Sequence, residues 1–228
     1  METKGRGKLF VVEGACDGIG KSTQYALLKE RLENDGDKVF THHFPSYETF
    51  HGEPVTRYLS GELGGVKDLS PYFINGLYAM DRGSAWHLYL KKQFEEGKIV
   101  LLDRYTTSSL IYQSALIDDV GAKKAFIDYV IDFEYQKVGL QKPDNVIFLH
   151  APFDVVTELR NARKQNDGVM NDIHERDLEF MKKVYDSAMF VADYLSWDQI
   201  ECARNGKFKP IEEIHEDVYQ LVKKQLNK

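Results

Sequence analysis

Residues 13–23 read Glu-Gly-Ala-Cys-Asp-Gly-Ile-Gly-Lys-Ser-Thr. A glycine-rich turn ending in Lys-Ser/Thr can curl its backbone so that successive N–H groups converge on phosphate oxygens. In that reading Gly18, Gly20 and Thr23 belong to the cradle. Lys21 reaches the β and γ phosphates of a nucleoside triphosphate, and the Ser22 hydroxyl ligates magnesium. The spacing is irregular, because five residues separate Gly14 from Gly20 where the pattern has four. The plainer alternative is a glycine-rich strand–helix connection with Lys21 on the surface. A second feature supports phosphate chemistry: the apolar run Ile99-Val-Leu-Leu-Asp103 ends on a carboxylate. Such sites hold a hydrated magnesium ion with an Asp placed there. Asp103 could equally cap the following helix, and the two roles are compatible.

Residues of this kind work only if strands and helices bring them together. Leu9–Glu13 is a short, β-branched apolar run, hence a buried strand, and residues 22–33 carry a helical apolar pattern ended by Asn34-Asp-Gly36. Residues 38–44 form a second strand, 54–59 a short helix, 71–96 a long helix and 99–103 a third strand. Helices follow over 106–117 and 122–138, then a strand over 145–150. Next come a helix over 153–164, a polar stretch to 172, a helix over 178–195, a weak strand over 197–202 and a helix over 211–226. Alternating strands and helices imply an α/β fold: a parallel five-stranded sheet with helices on both faces. The expectation is one domain over 1–228, with a mobile lid at about 160–175.

Composition excludes several classes. A net charge of −6 gives no global basic field for nucleic acid, so phosphate must be handled by local charge. Cys16 and Cys202 have no metal-ligand spacing, and without a secretory signal a disulfide is not favoured. No apolar run is long enough to span a membrane, and a cytoplasmic location is expected.

The motifs together resemble the thymidylate kinase family, the phosphate-loop nucleoside monophosphate kinases that act on dTMP. The matching pieces are the loop above, Phe44-Pro45-Ser46-Tyr47, Leu77-Tyr-Ala-Met-Asp-Arg82, Asp103-Arg-Tyr-Thr-Thr-Ser-Ser-Leu-Ile-Tyr-Gln113 and Pro143-Asp-Asn-Val-Ile-Phe-Leu149. Arg160-Asn-Ala-Arg-Lys164 and Asp172-Ile-His-Glu175 resemble the lid. The resemblance implies ATP and Mg²⁺ as donor and cofactor, dTMP as acceptor, and a homodimer. It also implies roles. Tyr78 stacks on thymine, Arg82 bonds the base, Arg104 holds the acceptor phosphate and Asp17 binds the 3′-hydroxyl. Tyr112 crowds the 2′ position, Tyr47 packs on the acceptor, and Ser108, Ser109 and Gln113 face base or phosphate. Taken alone, Tyr78 reads as helix core, Asp17 as a turn residue, and Arg82 or Arg104 as a solvated charge.

Two departures stand out. Ser46 occupies a position where many relatives have an arginine on the acceptor phosphate. Gly18 replaces the loop arginine of one branch of the family, which moves the catalytic charge to the lid, with Arg163 the first choice and Arg160 and Lys164 behind it. That basic segment is also compatible with an ordinary charged helix face. Within the loop, the extra residue falls among Gly14, Ala15 and Cys16, and this segment is expected to bulge outward. Other readings are a different nucleoside or nucleotide kinase on the same scaffold and an ATP-binding switch module. An ATPase bound to nucleic acid is disfavoured by the acidic balance.

Overall fold

The computed structural model describes residues 6–159 and 178–227. The lid at 160–175, with Arg160, Arg163 and Lys164, lies outside them. Strands β1 (Lys8–Gly14), β2 (Val39–His43), β3 (Ile99–Asp103), β4 (Asn145–His150) and β5 (Asp198–Glu201) form one parallel sheet in the order β2-β3-β1-β4-β5. A short hairpin, β6 (Ala203–Arg204) with β7 (Lys207–Phe208), was not foreseen.

The continuous apolar runs are explained by burial on both faces. Phe10, Val12, Leu101, Ile147 and Leu149 pack with Leu28 and Leu32 of α1 (Lys21–Asn34) on one side. Leu9, Val11, Val100 and Leu102 pack on the other with Ala85, Trp86, Leu90 and Phe94. Helix α2 (Glu53–Ser60) follows β2. The long helix expected over 71–96 is three pieces in line: α3 (Pro71–Ala85), a π-helical turn (Trp86–Leu90) and α4 (Lys91–Glu95). Helix α5 (Thr106–Tyr112) ends in a 3₁₀ turn, and α6 (Val120–Ile131) runs into a second π-helical stretch, Asp132–Lys137. Residues 153–159 are helical (α7), followed by α8 (Leu178–Tyr194) and α9 (Ile211–Leu226).

One expectation is corrected. The Ala15-Cys16 segment turns inward, not outward. Ala15 is fully buried and its N–H donates to the Leu149 carbonyl at 2.9 Å, while Cys16 is only 4% exposed. Small apolar side chains extend β1 into the core more favourably than they would face water.

Candidate active site

The loop after β1 meets the C-terminal ends of β3 and β2, where open parallel sheets place their sites. Gly18 and Gly20 both have φ of +93°, a left-handed conformation that only glycine adopts without strain. Gly20 ends the loop and Lys21-Ser-Thr opens α1. Among the described residues no side chain caps this terminus, and no acidic residue occupies its first turn. The helix thus presents its N–H groups and partial positive charge to an anion. Ser22 and Thr23 are exposed there.

Lys21 is buried and its Nζ pairs with Asp103 Oδ1. His43, brought beside Asp103 by the β2–β3 register, holds the other carboxylate oxygen through Nδ1 at 3.0 Å. Burial works against the Asp103 charge, yet the His43 hydrogen bond and Lys21 hold its pKa down to about 2. The carboxylate is therefore ionised at neutral pH.

Just after β3, Arg104 has φ of +66° and its guanidinium grips Asp17 Oδ1. The Tyr112 hydroxyl donates to Asp17 Oδ2 at 2.9 Å. Burial opposes the Asp17 charge, but Arg104 and Lys21 keep its pKa below the usual carboxylate range. Behind them Glu13, fully buried, accepts from Thr107 Oγ1 at 2.9 Å and Ser108 Oγ at 2.6 Å, and lies 4.0 Å from Arg104.

A cleft of about 280 Å³ joins these groups. Asp17, Lys21, Ser22, Tyr47, Tyr78, Arg82, Asp103, Arg104, Ser108, Ser109, Tyr112 and Gln113 all line it. The Tyr47 ring stacks near His43, with centroids 6.2 Å apart. Ser46 does not line the cleft. It is buried, its N–H donating to Asp81 at 2.9 Å and its hydroxyl lying 3.0 Å from His42 Nε2. Here the position serves the turn and leaves Arg104 as the cleft's guanidinium nearest the loop. Gln113 is 2% exposed and its Oε1 has no hydrogen-bond partner among the described residues.

Sequence reasoning missed Glu13, His43 and Glu134. Glu13 closes an apolar strand just as Asp103 does, and the same argument would have found it. His43 shares the end of β2 with the Phe44-Pro45 turn. Glu134, a charge inside a helical stretch, leaves no local signal.

The model of the thymidylate kinase family matches residues 12–218. The chain belongs to the thymidylate kinase family. A probable thymidylate kinase of Thermococcus gammatolerans is 30% identical over 222 residues, covering 96% of this chain and 97% of that one. The thymidylate kinase of Plasmodium falciparum is 30% identical over 223 residues, covering 98% and 93%. The solved thymidylate kinase of Candida albicans shares the fold, with a TM-score of 0.72 at 21% identity over 97% of this chain and 93% of that one. In this thymidylate kinase scaffold, Lys21, Tyr78, Arg82 and Gln113 line one cleft. No described helix is long and apolar enough to cross a membrane.

Proposed function

We propose that the chain transfers the γ-phosphate of ATP to dTMP, giving dTDP and ADP for dTTP synthesis in the cytoplasm, as one catalytic domain over 1–228. The observation that supports this reading is that one cleft is lined both by Lys21, Ser22 and Asp103 and by Tyr78, Arg82, Tyr112 and Gln113, a set suited to a phosphate group and a base together. A nucleotide switch has no need for the second.

Phosphoryl transfer asks for in-line positioning and positive charge around the transferring group. Lys21 and the N–H groups of Gly18 to Thr23 hold the donor phosphates. Arg104 presents the acceptor phosphate, a guanidinium being suited to donate two bonds at once. The acceptor is already anionic, so no strong base is required. Asp17, fixed by Arg104 and Tyr112, takes the 3′-hydroxyl, and Tyr112 crowds the 2′ position. Tyr78 stacks on thymine while Tyr47 covers the nucleotide. Arg163 of the lid supplies the charge that Gly18 does not. The exposed Ser22 hydroxyl and the ionised Asp103 carboxylate line the same cleft, an oxygen donor set that would fit a Mg²⁺ ion. When bound, it neutralises the β- and γ-phosphate oxygens.

We assign the assembly as a homodimer. Phe50, Met80 and Leu88 are 80%, 65% and 61% exposed and surround an apolar groove on α3 and the π-helical turn that follows it. A two-fold axis would bury this face against its own copy. Sedimentation of Met80→Glu should show a monomer where the parent shows a dimer.

The decisive experiment offers dTMP, dUMP, dCMP, dAMP, GMP and thymidine with ATP. Preferred turnover of dTMP is expected, and the absence of any such preference would overturn the reading.

A further inference from the structure

Arg82 is 1% exposed and Glu134 is fully buried, and the two meet as a fork on a fork. Arg82 Nε donates to Glu134 Oε2 at 2.7 Å and Nη2 to Oε1 at 2.6 Å. Nη2 also donates to Ser109 Oγ at 2.8 Å, and Thr106 Oγ1 donates to Glu134 Oε2 at 2.7 Å. A buried ion pair is a poor source of stability, because desolvating two charges offsets their attraction. Its worth lies in geometry. With Nε and Nη2 committed, Nη1 is the nitrogen left with one long contact, to the Tyr105 carbonyl at 3.4 Å, and the residue still lines the cleft.

The backbone is arranged to make this pair. Glu134 sits in the π-helical stretch after α6, and Arg82 lies just before the π-helical turn after α3. Such wide turns are frequent at functional sites. Gly83 follows Arg82, and a Cβ there would come within 3.0 Å of Val138 Cγ1. The missing side chain lets the two elements approach closely. In the same cleft the buried Gln113 Oε1 has no donor among the described residues. The cleft therefore offers one immobilised N–H donor and one unpaired acceptor.

We infer that Glu134 is a positioning residue that locks Arg82 as a donor in the cleft that Gln113 also lines, so that the cleft reads a C4 carbonyl and an N3–H. This inference rests on the dTMP reading above. A thymine or uracil edge satisfies both groups. A cytosine edge presents the inverse, an amino group towards Arg82 and a bare N3 towards Gln113. It leaves both buried groups unpaired, the situation in which hydrogen-bonding sites discriminate most strongly.

The test is steady-state kinetics and calorimetric binding of dTMP and dCMP to the full chain and to Glu134→Gln. The substitution keeps the shape and removes the charge that pins the guanidinium. Expected is a rise of about tenfold or more in KM and Kd for dTMP, kcat within about threefold, and a fall of about tenfold in the dTMP-over-dCMP preference. Thr106→Val removes a single contact to Glu134 and should move the preference the same way by about two- to fivefold. It decides the matter if Glu134→Gln does not fold. An unchanged preference in a folded variant, or equal losses for both acceptors, overturns the inference. A parent protein that does not phosphorylate dTMP instead removes the reading beneath it.

Discussion

Replacing His42 with Gln isolates one ionisation that the fold suppresses. The ring lies edge-on to Phe44 at 4.6 Å and to Tyr89 at 5.3 Å, and Nε2 is 3.0 Å from Ser46 Oγ and 3.4 Å from the Tyr89 hydroxyl. Burial is the main cause that pushes its pKa down to about 4, with His43 and His51 acting the same way and Asp81 opposing them. The folded value lies below the ordinary 6.5, so the unfolded chain takes up the proton first as pH falls. The stabilisation is complete above 6.5 and is lost across the window down to about 4. Linkage puts the whole effect at about 3 kcal/mol and the part lost by pH 5 at about 2 kcal/mol. The ring is only partly buried, which trims that to about 1–2 kcal/mol. Urea midpoints of both proteins at about pH 7.5 and about pH 5 read it directly. The parent should lose about 1–2 kcal/mol more than His42→Gln over that interval, while His150 and His215, also lowered by burial, cancel between the two. Equal losses would refute the argument. Because His42 meets Ser46 in the turn that carries Tyr47, the same protonation should raise KM for dTMP in the parent more than in the variant.

Lys21→Ala should fold and lose about 10²–10³-fold in kcat, about 3–4 kcal/mol of transition-state stabilisation, as for other single electrostatic groups; near-normal turnover would remove Lys21 from the mechanism. Tyr112→Phe deletes the hydroxyl that holds Asp17, and KM for dTMP should rise by about three- to tenfold with kcat little changed. Tyr112→Ala, measured with the ribonucleotide, should narrow the preference for deoxyribose. Both cysteines are buried, and burial pushes the Cys202 thiol up to about 12. A thiol reagent should therefore label neither in the folded protein and both in urea, which absorbance follows directly.

The scaffold was legible because its signals are local. Apolar runs of strand length placed β1, β3 and β4, and weaker patterns over 38–44 and 197–202 placed β2 and β5, each within a residue or two. The cradle was legible for the same reason, since Gly18 to Thr23 is contiguous. The remainder of the proposed site was not readable from the residues alone. Tyr78, Arg82 and Tyr112 look like core or surface until a family pattern assigns them. The pairing that fixes Arg82 comes from a residue 52 positions away on another helix, where no periodicity records it. His43 and Asp103 are likewise 60 positions apart and meet only through strand register. Local chemistry is written in sequence; electrostatic partnership is written in topology.

The irregular loop shows how far that division reaches. An inserted residue ahead of the proposed phosphate cradle could displace everything downstream, including the Lys21 contact with Asp103. Here the insertion is absorbed upstream. Ala15 prolongs the ladder to β4 through its N–H and packs with Leu110, Phe148 and Val184, while Cys16 enters the opposite cluster with Val12 and Leu149. Two small apolar side chains, one on each face, carry the chain on into the core after β1 ends at Gly14. From Asp17 onward the cradle resumes its usual count, and the contact of Lys21 with Asp103 is the outcome. The tolerance is therefore a property of the core on both sides of the strand, and a large or charged residue at either position would force the extra length out into the phosphate site.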